Sequence, residues 1–214
     1  MPHYPLITYI SIFSVIIPLI AGFSKITLLR RGMKILLLYL IWSFFADIYL
    51  LWLPMGYFFT LGLSHVYYII EFIFIMSIMY NWQDSNEKKI LFLELMVLYS
   101  AFWAVAMFTF EPLTGLYTFK ASISQIILTI CAEYTLYVMI KNTTDSILTD
   151  FRFWVLLAFV IYYAGTLILI IAKDILLRYP IDILFLATTI DWSLKILFNV
   201  LFAIGFKCRQ TRTL

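Results

Sequence analysis

The chain has 214 residues, of which 64% are hydrophobic and 13% charged, with a net charge of +3 and a mean hydropathy of +0.99. Soluble domains hold about 45–50% apolar and about 25% charged residues. The composition therefore excludes a soluble globular protein, a disordered chain and a nucleic-acid binder, and it describes an integral membrane protein.

A helical span needs about 20 mostly apolar residues. Seven segments meet this in chain order: Pro5–Phe23, Ile35–Leu53, Phe58–Tyr80, Ile90–Phe110, Ala121–Ile140, Phe153–Ala172 and Ile183–Phe206. The breaks between them are Ser24–Lys34, Pro54–Tyr57, Asn81–Lys89, Glu111–Lys120, Lys141–Arg152 and Lys173–Asp182. They are too short to hold a folded domain. The strands of a membrane barrel are about half as long as these runs and alternate in polarity. The expectation is all-α: one seven-transmembrane-helix bundle over residues 1–214.

Loop charge orients such a bundle. The first break carries Lys25, Arg30, Arg31 and Lys34, the third Lys88 and Lys89, the fifth Lys141 and Arg152, and the tail Lys207, Arg209 and Arg212. The opposite side holds Lys120, Lys173 and Arg178. The rich side is expected to be cytoplasmic, with the N-terminus outside and the C-terminus inside. The first apolar run has no basic segment before it and no small-x-small site after it, which predicts an uncleaved first helix. No repeat suggests two inverted halves.

Ionisable residues within spans are costly, and each is a candidate site. In chain order, the second span carries Tyr39, Ser43 and Asp47, and the third His65, Tyr68 and Glu71. The fourth carries Glu94, close enough to the cytoplasmic edge to reach the interface. The fifth carries Gln125, Thr129, Glu133 and Tyr137, a stripe of about 120°. The last carries Thr188, Asp191, Lys195 and Asn199 within about 80°, bordered by Trp192. Lipid cannot satisfy such faces, so they are expected to point inward and form a polar cavity among 20 Phe, 15 Tyr and 6 Trp.

Asp191, one turn from Lys195, is the expected partner of the lysine. His65 reads as an interhelical hydrogen-bonding residue. Glu71 and Glu133 read as functional, because an unpaired mid-span acid costs a few kcal/mol. Tyr162, Tyr163 and Thr166 in the sixth span read as packing. Cys131 and Cys208 form neither a disulfide framework nor a zinc site, and Cys208 at the membrane edge reads as a stray cysteine rather than a palmitoylation site.

Two resemblances are carried by short stretches. The segment DWSLK, with Asp191 one turn before Lys195, resembles the last helix of microbial rhodopsins. That resemblance implies Lys195 as a retinal Schiff-base lysine and Asp191 as part of its counterion; the third helix, SHVYYIIEF, lacks that family's Arg-Tyr-x-Asp/Glu-Trp pattern. The segments HVYYIIEF, FRFWVLLAFVIYYAGTL and KILFNVLFAIGF together resemble a family of small heptahelical proteins common in Bacteroidota, often encoded beside histidine kinases or response regulators. That resemblance implies a sensory or signal-coupling role in a bacterial inner (plasma) membrane.

Three functional readings follow. The first is a receptor-like or signal-coupling protein that binds a small ligand, a lipid or a proton in the cavity and acts on a cytoplasmic or membrane partner. The second is a proton- or cation-coupled transporter or a membrane-embedded lipid enzyme, with Asp47, His65 and Glu71 as its acid–base group. HExxH and Gly-x-Ser-x-Gly motifs are absent from the sequence. The third is a retinal protein. Outside that third reading no cofactor or metal is expected, and the bilayer is the one certain partner the composition implies.

Overall fold

The computed structural model describes residues 5–52, 57–111, 118–143, 146–176 and 180–208, and across them the chain is helical. The helices are α1 (Leu6–Ser14), α2 (Ile16–Phe23), α3 (Arg31–Trp52), α4 (Tyr57–Asn81), α5 (Asn86–Thr109), α6 (Thr118–Asn142), α7 (Phe151–Leu176) and α8 (Ile181–Lys207). Six stretches are long and apolar enough to cross a membrane: Leu6–Phe23, Arg31–Tyr49, Asn86–Thr109, Thr118–Asn142, Phe151–Ala172 and Asp182–Lys207. By length and composition this is a helical multi-pass membrane protein.

The first predicted span, Pro5–Phe23, is not one uninterrupted helix: it is broken at Val15 into α1 and α2. Pro18 explains the break. Its nitrogen has no hydrogen to give to the carbonyl of Ser14, and its ring crowds that carbonyl. The Ser14 hydroxyl turns back to the Ser11 carbonyl at 2.6 Å. Other helix ends carry ordinary signals. Ser85 caps α5 by accepting the Lys88 N–H. The Glu111 carboxylate accepts the N–H groups of Phe119 (2.7 Å) and Lys120 (3.0 Å), which satisfies the start of α6.

Around the bundle, α3 packs on α4, α4 on α5 and α6, α6 on α7, α7 on α8, and α8 closes on α1 and α2. The odd-numbered breaks gather at one end. Lys25 donates to the carbonyl of Lys207 at 2.8 Å, the Trp82 ring meets Phe151 edge-on, and Trp154 donates to the Leu148 carbonyl. Lys25, Arg30, Arg31, Lys34, Lys88, Lys89, Lys141, Arg152 and Lys207 all belong to the helix ends and breaks there, so this is the basic end of the bundle. Glu111 and Lys120 lie at the other.

The interior differs between the two halves. Toward the basic end it is mostly apolar: Met33, Leu36, Phe72, Ile75, Met79, Val155, Leu156, Phe159, Phe202 and Phe206 are fully buried and belong to one cluster, with the buried Gln83 donating to Thr135 beside it at 3.1 Å. Phe159, Phe198 and Phe202 pack against one another within that cluster at tilted and edge-on angles, with Phe198 and Phe202 centroids 4.1 Å apart.

Candidate functional site

The site starts from the four-residue spacing of Tyr39, Ser43 and Asp47 on α3. Helix α4 runs antiparallel to α3, and its polar residues descend in matching steps. The Tyr39 hydroxyl donates to Glu71 Oε1 at 2.8 Å, and Ser43 Oγ lies 3.2 Å from the Tyr67 hydroxyl. The next step leaves α4: Asp47 Oδ2 accepts from Lys195 Nζ on α8 at 2.5 Å. From α7 the Tyr163 hydroxyl gives Glu71 Oε1 a second donor at 3.2 Å. Glu71 is 5% exposed, so it is a buried carboxyl held by two phenols on two other helices.

Lys195 also acts electrostatically on Glu71, and Tyr67 sits in the fields of both Glu71 and Asp47. The two acids, the lysine and the tyrosines therefore form one polar cluster spanning α3, α4, α7 and α8. A buried set of this kind persists only when its hydrogen bonds are made.

Beside this cluster lies a cavity of about 190 Å³ between α4, α6, α7 and α8. Its polar walls are Tyr68, Gln125, Tyr162, Thr166, Thr188 and Asp191. Gln125 is 3% exposed, and its side-chain carbonyl has no hydrogen-bond partner. A space holds a water once it offers about 10–15 Å³ to the water's centre, so this cavity takes several waters or a small organic molecule. At 1.5 Å per residue, Lys195, Asp191 and Gln125 lie about 18–25 Å along their helices from the basic end, and Glu71 about 15 Å. The cluster of Tyr39, Glu71, Tyr163 and Lys195 therefore sits near mid-depth, and the cavity lies beyond it, farther from the basic end.

Several expectations are corrected. Lys195 pairs with Asp47 on another helix, not with Asp191 on its own; Asp191 instead turns toward the cavity, one turn further from the basic end. Glu133 does not point inward: it is exposed on the outer surface of α6. The i, i+4 spacing of its stripe advances about 40° per step. Gln125 therefore starts buried, Thr129 is half-buried, and Glu133 and Tyr137 have rotated onto the outside.

His65, Tyr68 and Glu71 do not share one face either, because i, i+3 spacing falls about 60° short at each step. His65 is fully buried with its ring edge-on to Trp103 of α5, Tyr68 lines the cavity, and Glu71 faces α3 and α7. Asn199 is structural: its amide donates to Ser14 Oγ at 2.7 Å, tying α8 to the α1–α2 break. Glu94 is exposed on α5.

Tyr163, read from the sequence as packing, is a direct partner of Glu71, and Tyr162 and Thr166 line the cavity. The signal was their spacing: Tyr162 and Thr166 lie one turn apart, and Tyr163 lies beside them on the adjoining strip of α7. Among the described residues no three His, Cys, Asp or Glu side chains gather as a metal site.

Lys195 donates to Asp47 and is not among the walls of this cavity.

Comparison with known proteins gives no matching family model, no similar curated protein and no similar solved structure. Any function has to be argued from the site. The arrangement offers a ligand-sized polar cavity, a buried carboxyl held by neutral donors, and an interhelical ion pair.

Proposed function

We propose that this chain is a seven-span, receptor-like membrane protein. It binds a small ligand in the cavity of its outward half and passes the change to a partner at its basic, cytoplasmic face. In this reading α1 and α2 act as one broken span and α4 completes the seven. The N-terminus is outside, as the basic breaks require.

The observation that carries the reading is the division of the interior. The cavity lies away from the basic end, the polar cluster sits beneath it at mid-depth, and apolar and aromatic side chains predominate from there to the basic end. A ligand can reach the cavity while that apolar packing separates it from the basic end. Such a division suits signalling through helix movement better than passage of an ion through the bundle. The polar cluster supplies the coupling element, because Asp47–Lys195 and Tyr39–Glu71–Tyr163 tie four helices that a cavity ligand touches or borders. Differential contact of a ligand with two packings of such helices is what shifts a population.

The test is made in nanodiscs, with a bimane fluorophore on the native Cys208 at the basic end. Ala187→Phe fills the cavity from α8. The expected result is a changed bimane spectrum together with proteoliposomes that pass neither protons nor sodium. An unchanged spectrum, or sustained flux that Glu71→Gln abolishes, would remove the receptor reading in favour of transport. Labelling of Lys89→Cys only from outside the cell would overturn the orientation.

A further inference from the structure

We propose that the cavity between α4, α6, α7 and α8 takes a small organic ammonium. Its charged end sits between Gln125 Oε1 and the Asp191 carboxylate, and its carbon end among Ile170, Leu184 and Ala187. The inference rests on the outward ligand site described above and names the chemistry of its ligand.

The walls decide the class. Gln125 is buried in the wall with a carbonyl oxygen that nothing satisfies, and leaving such an acceptor unmet costs about 1–3 kcal/mol. The two threonines also present acceptors. Thr166 gives its proton to the Tyr162 carbonyl at 2.8 Å, and Thr188 gives its own to the Leu184 carbonyl at 2.5 Å. Their lone pairs, not their protons, remain for the cavity. Asp191 adds a carboxylate to the same wall. Tyr68 and Tyr162 add aromatic rings to the walls, and aromatic rings attract cations through their quadrupole.

Among the described residues the walls carry no lysine, arginine or histidine. The surface is therefore built to accept hydrogen bonds and positive charge. An ammonium group supplies only donors. A carboxylate or phosphate would find no cation in the walls and would face the Asp191 carboxylate, with only the Tyr68 and Tyr162 hydroxyls and the Gln125 amide as side-chain donors. A bare alkali ion would find oxygen on one side only, because Ile170, Leu184 and Ala187 make the other side carbon.

The experiment uses the full chain in nanodiscs in potassium phosphate buffer, with isothermal titration of three probes of one shape: phenethylammonium, 2-phenylethanol and phenylacetate. Sodium chloride is titrated separately. Phenethylammonium is expected to bind saturably, and the alcohol and the acid at least ten-fold more weakly. Gln125→Leu is expected to weaken phenethylammonium at least ten-fold, and Gln125→Glu to keep or tighten it. The melting curve of each variant identifies any that fails to fold.

Equal binding of the alcohol or the acid overturns the ammonium assignment while leaving a ligand cavity. Competition by millimolar sodium makes the site an alkali-ion site and overturns it too. Absence of phenethylammonium binding also ends it, and the Cys208 fluorescence of Ala187→Phe then decides separately whether the receptor reading survives. Unchanged affinity in a folded Gln125→Leu removes the amide from the site and the inference with it.

Discussion

Lys195 on α8 and Asp47 on α3 are 148 positions apart in sequence and share a hydrogen-bonded ion pair of 2.5 Å. Both side chains are mostly buried, at 19% and 14% exposure. Truncating one member leaves a buried charge without its partner, which costs about 3–5 kcal/mol, whereas replacing both with apolar groups of similar volume costs less. In detergent, Lys195→Met and Asp47→Leu should each lower the melting temperature strongly, and the double variant should recover part of the loss. Asp191→Asn should behave unlike Asp47→Leu, since the lysine keeps its partner. Strictly additive single effects at Asp47 and Lys195 would show that the pair is uncoupled.

Glu71 tests the second knot. It accepts from Tyr39 and Tyr163, so Glu71→Gln keeps an oxygen for both phenols while Glu71→Leu leaves both hydroxyls buried without it. Unmet buried polar groups cost about 1–3 kcal/mol each. Thermal unfolding of the purified variants should rank Glu71→Leu well below Glu71→Gln, with Tyr39→Phe and Tyr163→Phe between Glu71→Leu and the parent chain. A Glu71→Leu protein as stable as the parent would remove Glu71 from the centre of the site.

How much of this was legible in the sequence depends on the spacing of each set. Membrane class and helical fold follow from composition and run length. The α3 face was readable because i, i+4 residues near mid-helix stay within one stripe and α4 offers matching partners at Tyr67 and Glu71. Over longer stretches the same rule fails. The rotation of about 40° per step carries the α6 stripe from buried Gln125 to exposed Glu133. Partner choice was not legible at all. A same-helix neighbour such as Asp191 is visible in a sequence, whereas Asp47 becomes the partner only because α8 and α3 meet in space. The cavity was hidden for the same reason, being made by four helices that no local pattern relates.

The exposed position of Glu133 has a measurable consequence. A carboxyl on the outer face of a mid-span helix costs energy that a carbon side chain does not. Glu133→Leu should therefore leave the melting temperature unchanged or raise it, in contrast to Glu71→Leu. Strong destabilisation by Glu133→Leu would mean that this face is covered by a partner offering Glu133 a hydrogen bond.

Gly32 shows how tightly the basic end is built. A Cβ there would overlap the Trp82 indole nitrogen. The indole is rigid and meets Phe151 edge-on, so it cannot yield as the end of a flexible chain would. Gly32→Ala should cost about 1–3 kcal/mol through overpacking. Gly165→Ala meets the tip of Leu194 at 2.8 Å, which can rotate away, and should cost less. Equal loss of melting temperature at the two positions would contradict the rigidity assigned to Trp82.

Cys208 gives a pH-dependent reading of the same end, outside the spans. Burial is the largest influence on its thiol and pushes it up, Asp150 adds to the rise, and Lys25 opposes it. The Sγ also lies 3.8 Å from the Leu148 carbonyl. The reactive species is the thiolate, and a raised pKa reduces its fraction at neutral pH. Alkylation at pH 7 should therefore be slower than at an exposed cysteine, and the rise of rate with pH should be displaced toward alkaline values. Asp150→Asn removes a negative charge and should move the profile toward lower pH. Lys25→Gln removes the opposing cation and should move it higher. Monobromobimane rates measured across pH in a Cys131→Ser background, with Lys141→Cys in a cysteine-free chain as the exposed reference, give both shifts. A Cys208 profile coincident with that reference would show that the thiol is open to water and that Cys208 does not pack against Leu148 as described.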